Sequence, residues 1–195
     1  MPELPEVETI ARGVNERVRG DRIVEVWFGS HREPFKTSQS RQRRGLEGRV
    51  LLAVHRTGKH IVCELGPVVP GKVIQSAVSP GPPEAQWIWH RGSTGRCLGT
   101  TSEAPVAAHT HTRLGLVSGR ELRFVDPRRF GRLEFRSLDR ESPFAASGAE
   151  PLTITGDDFA TLFHSRRLPI KAALLNHTLR SGVRNNYADE SLFHA

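Results

Sequence analysis

Apolar residues at Val7, Ile10, Ala11, Val14 and Val18 recur at helical spacing, which predicts an N-terminal helix with one buried face. Glu6 and Glu8 fall in its first turn, where negative charge offsets the positive end of the helix dipole. The pattern then changes to short apolar runs of strand length at 23–28, 50–54, 60–65, 87–90, 114–117 and 121–125. Ser118-Gly119-Arg120 separates the last two runs and predicts a hairpin. Residues 66–83 and 100–105 predict irregular loops. Beyond about Arg136 a linker through Pro143, Ser147 and Gly148 leads to helical patterns at 157–165, 170–179 and 188–194. One helix, a block of strands and then a block of helices predict an α+β fold. The divisions fall at 1–136 for the helix and β-rich domain, 137–150 for a linker, and 151–195 for a small helical module.

Composition narrows the possibilities. The 195 residues, 37% of them hydrophobic, suffice for a real core. No apolar run approaches the ~18 residues of a membrane span, and the acidic opening is unlike a signal peptide, so a cytoplasmic chain is expected. Lys and Arg number 28 against 21 Asp and Glu, a net charge of +7 that points to a polyanionic partner, nucleic acid or membrane surface. Cys63 and Cys97 are the only cysteines, too few for a disulfide framework or a four-cysteine zinc site, and each is expected as a small buried apolar group. His109-Thr110-His111 would place two imidazoles on one strand face. With no third ligand in view, a metal-dependent hydrolase built on them is a minor alternative and no metal site is assigned.

The opening Met1-Pro2-Glu3-Leu4-Pro5-Glu6-Val7-Glu8-Thr9 admits a chemical reading beside helix initiation. Removal of Met1 would leave Pro2 as a free secondary amine. An α-amine titrates near pH ~8, so a useful fraction is neutral and nucleophilic at neutral pH. Attack on a sugar C1′ would give an iminium and divide one difficult displacement into easier steps. Glu3, next in the chain, could move protons during ring opening and elimination.

This opening, PELPEVET, resembles that of the bacterial formamidopyrimidine-DNA glycosylase family, which includes the endonuclease VIII-like enzymes. Three later stretches match in the family's order: Thr57-Gly58-Lys59-His60, Asp126-Pro127-Arg128-Arg129-Phe130-Gly131, and Gly182-Val183-Arg184-Asn185-Asn186-Tyr187-Ala188-Asp189-Glu190. The resemblance implies a catalytic β-sandwich domain headed by a helix, followed by a shortened helix-two-turns-helix module. It implies Pro2 as nucleophile, Glu3 as general acid and base, and Lys59 as a lysine reaching the lesion and its phosphate. Phe130 is implied as a wedge in the gap left by a flipped base, with Arg128 on the orphaned base. Arg129, Lys171 and Asn185 are implied as DNA contacts, Asn185 at a helix end that grips phosphate. Taken alone, each has a plainer reading: a solvated lysine, a tight turn with paired arginines, a turn asparagine.

The implied function is base excision of oxidised purines with an associated abasic-site lyase, acting as a monomer on double-stranded DNA at the nucleoid. An amine-catalysed reaction of this kind needs no cofactor. Some residues depart from the family pattern. In His90-Arg91-Gly92-Ser93-Thr94-Gly95, Ser93 stands where a methionine wedge is usual and Arg91 at an apolar position. Arg184 replaces a usual glycine, which predicts strain if the site requires positive φ. The sequence ends at Ala195, before the family's four-cysteine zinc finger. These departures keep a second expectation open: a DNA-binding remnant impaired in catalysis.

Overall fold

Helix α1 (Leu4–Val18) buries Leu4, Val7, Ala11, Val14 and Val18, with Ile10 packed partly against the same core, as the helical spacing predicts. The structure is a computed structural model that describes residues 3–31, 34–69, 81–164, 166–176, 178–179 and 182–195. Pro2 lies outside the described residues. The Asn15 side chain ties α1 to the sandwich by accepting the Val54 N–H at 2.8 Å.

Among the described residues the chain forms eight strands: β1 (Ile23–Phe28), β2 (Arg49–Thr57), β3 (His60–Val68), β4 (Ala85–His90), β5 (Arg96–Thr101), β6 (Thr110–Leu116), β7 (Arg120–Val125) and β8 (Arg132–Ser137). They pair antiparallel in two four-stranded sheets, ordered β1-β6-β7-β5 and β2-β3-β4-β8. Both sheets feed one apolar core. Trp87 and Trp89 of β4 meet edge to face at 4.4 Å, and Trp89 meets Phe124 of β7 at 5.8 Å, which joins the sheets through aromatic contact.

Helix α2 (Gln39–Leu46), β5 and β8 were not predicted. Only Gln42 and Leu46 of α2 are buried, so it shows no apolar face in sequence. Strand β5 is a mostly exposed edge whose Thr100 and Thr101 were read as loop. In β8 the buried Leu133 and Phe135 alternate with Arg132, Glu134 and Arg136, a period-two signal carried by too few apolar residues. Strand β3 runs through Gly66 and Pro67, which were read as loop, and residues 70–80 of that loop lie outside the described residues. Cys63 is buried as expected, but Cys97 is only partly so.

The helical module comprises α3 (Gly156–Phe163), α4 (Ile170–Leu175) and α5 (Asn185–His194). Helix α4 stops short of the predicted 170–179. Asn176 Oδ1 accepts the Thr178 N–H at 3.0 Å and its hydroxyl at 2.8 Å, a local turn that competes with the helix. Leu174, Val183 and Ala188 form a small core with Phe159, Phe163 and Leu175 against it.

Candidate active site

The residue at the head of α1 meets the start of α5. Glu3 is 5% exposed. Its Oε1 accepts the Asn186 N–H at 3.3 Å and its Oε2 accepts the Tyr187 N–H at 3.2 Å. These amides are among the orphan donors of a helix N-terminus, where the dipole also favours a carboxylate. The Glu3 N–H in turn donates to Glu6 Oε2 at 3.0 Å, which fixes the entry to α1. Gly182, at φ +84, lets the turn before α5 close on Leu4. An added Cβ there would lie 3.0 Å from Leu4 Cδ1.

Lys59 occupies the Gly58-Lys59 turn joining β2 to β3, closed by the Thr57–His60 pair. It is half-buried. Burial lowers its amine from the usual 10.5 to about 8, and the positive charge of Arg184 adds to this while Glu3 opposes it. Glu3, Lys59 and Arg184, from three separate stretches of sequence, thus share one electrostatic neighbourhood. Arg184 corrects an expectation: at φ −134 and ψ −170 it is ordinary extended backbone, so the arginine is not strained. The left-handed position of this turn belongs to Gly182. Asn185 is the first residue of α5 and is exposed.

A buried arginine secures this arrangement. The Arg56 side chain is 3% exposed and donates to Glu8 Oε2 at 2.9 Å, to the Gly58 carbonyl at 3.0 Å, and to both carboxylate oxygens of Glu150. Bidentate pairing of this kind fixes geometry as well as charge. It links α1, the lysine turn and the segment leading to the helical module. The Ala149 N–H donates to the Leu179 carbonyl at 2.9 Å and continues the link.

The loop Asp126–Gly131 joins β7 of one sheet to β8 of the other. Asp126 is fully buried. Its carboxylate accepts the Gly131 N–H at 2.7 Å, the Arg128 N–H at 3.3 Å and the Thr94 hydroxyl at 2.5 Å. The loop therefore hangs on an internal carboxylate while its tip faces solvent. Phe130 is 52% exposed, and the Arg128 guanidinium lies 4.5 Å over its ring. Gly92, at φ +61, lets the Arg91–Gly95 turn press on this loop, since a Cβ there would meet the Phe130 carbonyl carbon at 2.6 Å. Ser93 sits in that turn with its Oγ buried and without a hydrogen-bond partner.

Other predicted residues lie apart. Lys171, on α4, pairs with Asp189 of α5 at 2.6 Å and is about half exposed. His109 precedes β6 at φ 62, so it does not share a strand face with His111 as expected. His111 donates Nε2–H to the Asp126 carbonyl at 2.9 Å and helps hold the loop. Among the described residues no group of three or more His, Cys, Asp or Glu could hold a metal ion, and no helix is long and apolar enough to cross a membrane. Sequence reasoning missed Asp126, Arg56, Glu8 and Glu150 as organisers. Asp126 was within reach, as the first residue of the recognised Asp-Pro-Arg-Arg-Phe-Gly stretch.

A helix-headed β-sandwich, a tethered loop of two arginines and a phenylalanine, and a helical module docked on the N-terminus together define a DNA glycosylase fold. The wild-type Fpg of Lactococcus lactis bound to DNA containing N7-benzyl-Fapy-dG has this architecture, with a TM-score of 0.76 and 28% identity over 98% of this chain and 66% of that one. The Lactococcus lactis Fpg complex with abasic-site DNA gives 0.75 and 28%, over 97% and 65%. In sequence, the formamidopyrimidine-DNA glycosylase of Moorella thermoacetica is 37% identical over 203 residues, covering 100% of this chain and 67% of that protein. The formamidopyrimidine-DNA glycosylase N-terminal domain matches residues 1–133. The chain belongs to the formamidopyrimidine-DNA glycosylase family. It spans about two thirds of the length of these relatives.

Proposed function

We propose that the chain removes oxidised purines from double-stranded DNA and then cleaves the strand at the resulting abasic site through a Schiff base on Pro2. The observation that carries this reading is the convergence of Glu3, the Lys59 turn and the N-terminus of α5. Residues 1–136 supply the chemistry, 151–195 grip the DNA, and 137–150 join them. The place of action is the bacterial nucleoid, and the working form is a monomer.

In this mechanism the neutral Pro2 amine attacks C1′. The glycosidic bond breaks, its electron pair leaves with the base, and the base takes up the proton that the Pro2 nitrogen sheds. Glu3 protonates the ring oxygen as the C1′–O4′ bond opens, which gives the iminium. Loss of a C2′ proton then expels the 3′-phosphate by β-elimination, and water releases the amine. In a β,δ course a second elimination expels the 5′-phosphate while the sugar is still held as the iminium, before water releases the amine. Lys59 steadies the lesion phosphate, and Arg129, Lys171 and Asn185 hold the duplex backbone. Phe130 fills the gap left by the extruded base, with Arg128 against its orphaned partner. Nucleophile and acid come from the chain itself, and the route draws on no cofactor.

Ser93 offers little apolar wedge, so base excision is the weaker activity and abasic-site cleavage the stronger. Each ~1.4 kcal/mol of lost transition-state stabilisation slows a step tenfold. A side-by-side assay of a duplex with oxidised guanine and the same duplex with an abasic site tests this. Both are processed, the abasic site faster. Glu3→Gln depresses excision more than abasic-sugar capture, and Ser93→Met speeds excision selectively. Duplex binding without either product would instead establish the DNA-binding remnant.

A further inference from the structure

The linker that joins the sandwich to the helical module reaches the Lys59 turn from both sides. On β3 and β4 the core residues alternate with His60, Val62 and Glu64 and with Gln86, Ile88 and His90, which therefore form the outer face of the second sheet. Val62 and Ile88 face each other there and are buried outside the sandwich core, so this face is covered. Phe144 of the linker sits on it. Its N–H donates to Gln86 Oε1 at 2.7 Å, and Gln86 Nε2–H donates in turn to Glu64 Oε1 at 2.9 Å. The Phe144 ring lies 4.6 Å from the His60 ring, with the Arg136 guanidinium 5.4 Å over it. His90 backs His60 at 4.9 Å.

Both chain neighbours of Lys59 are thereby tied to one stretch of linker. The Gly58 carbonyl accepts from Arg56, which Glu150 holds through both carboxylate oxygens. His60 packs on Phe144. Burial, reinforced by His90 and Lys36 and opposed by Glu134 and the Thr57 backbone, lowers the His60 ring to about 4, so it meets Phe144 uncharged at neutral pH. Gly58 and Lys59 are the turn residues between the Thr57–His60 pair, so a shift of His60 carries the lysine with it. A charged side chain meets its target only as accurately as the residues packed around it allow.

We propose that Phe144 is a positioning residue for Lys59: its ring holds His60, as Glu150 holds Gly58 through Arg56, and together they aim the lysine turn at the lesion phosphate. The inference rests on the base-excision reading, from which the role of Lys59 comes. Ala149, between the two anchors, donates its N–H to the Leu179 carbonyl. The stretch that docks the helical module thus also braces the lysine.

The test measures affinity for a duplex carrying a stable abasic analogue across about pH 7 to 10, the window in which Lys59 titrates. Glu3, Arg184 and His90 face the lysine, and burial keeps His90 below its ordinary 6.5, outside this window. In Phe144→Ala the released turn admits water to the amine. Binding at neutral pH should weaken roughly three- to tenfold. The midpoint of the pH profile should move from about 8 toward 10.5. Phe144→Tyr keeps the ring and should match the wild type in both. With Lys59→Met already in place, Phe144→Ala should add no further loss, since a residue acting through the lysine has nothing left to position. If Phe144→Ala does not fold, Phe144→Leu, which keeps apolar bulk without a flat ring, makes the same comparison. An unmoved midpoint, or an equal loss with and without the lysine, would overturn the proposal. Failure of the wild type to bind abasic DNA, or to be trapped on it by borohydride, would sink the base-excision reading itself. Normal wild-type trapping with an additive Phe144 loss would sink only the positioning role.

Discussion

The β-sandwich and the helical module are held by different forces. The sandwich core joins α1 to both sheets through fully buried residues such as Val7, Leu65, Trp87, Leu122 and Phe124. Among the described residues the module's buried cluster is Leu174, Val183 and Ala188, and polar contacts tie the module to the sandwich. Glu3 caps α5, Arg56 grips Glu150, and the Ala149 amide reaches Leu179. Hydrophobic burial is non-directional and builds a platform. Charge-assisted hydrogen bonds are directional and aim one part at another. The candidate site lies where the apolar platform meets the unit held by directional contacts.

The largest effect is expected inside the platform. Leu65→Ala should cost about 2–5 kcal/mol of unfolding free energy, because it leaves a cavity in a fully buried position. Urea unfolding followed by tryptophan fluorescence checks this, and a loss under 1 kcal/mol would mean that the sandwich is not the stabilising unit.

Glu150→Ala should cost less, about 1–3 kcal/mol, by removing two hydrogen bonds from buried Arg56. Its loss should fall on the module. Hydrogen exchange should quicken in α4 and α5 while the sheets stay protected, and uniform acceleration would erase the distinction drawn here.

At the junction, Lys59 gives a pH signature. A lysine is charged below its pKa, and this one is held at about 8 instead of 10.5. Abasic-duplex affinity should therefore fall by about tenfold as pH rises through 8 and above, the worth of one lost charged contact. Lys59→Arg should flatten the profile. The stability effect has the opposite sense. The cost of burying the charge is full below about 8 and relieved between about 8 and 10.5, so stability rises with pH across that window.

The smallest effect belongs to Lys171→Ala. Its ion pair with Asp189 is well exposed, so stability should shift by less than about 0.5 kcal/mol. DNA affinity should drop about equally for all sequences, and the salt slope should fall by about one. Titration at several salt concentrations reads both.

The sequence was most legible where a signal repeats locally. The face of α1 and the apolar strands could be read directly, and the four motifs named the loop, the lysine turn and the start of α5. Strand β8 and helix α2 escaped because their buried residues are few and sit among arginines. The contacts that assemble the site escaped for another reason. Arg56 and Glu150 are 94 positions apart, and Glu3 and Asn186 are 183 apart, so no local pattern reports them. Local chemistry also misleads: the His109-Thr110-His111 spacing suggests one strand face although His109 precedes β6, and Arg184 stands where a glycine is expected although the left-handed residue of that turn is Gly182.

The central claim is that the chain's first residues act as nucleophile and acid against the platform of Lys59 and α5. It is tested most directly by mixing the protein with abasic-site DNA and borohydride and mapping the adduct by mass spectrometry. The account predicts one covalent DNA adduct on the Pro2 nitrogen, formed only by molecules that have lost Met1. An adduct on Lys59, or strand cleavage by protein that retains Met1 throughout, would contradict it.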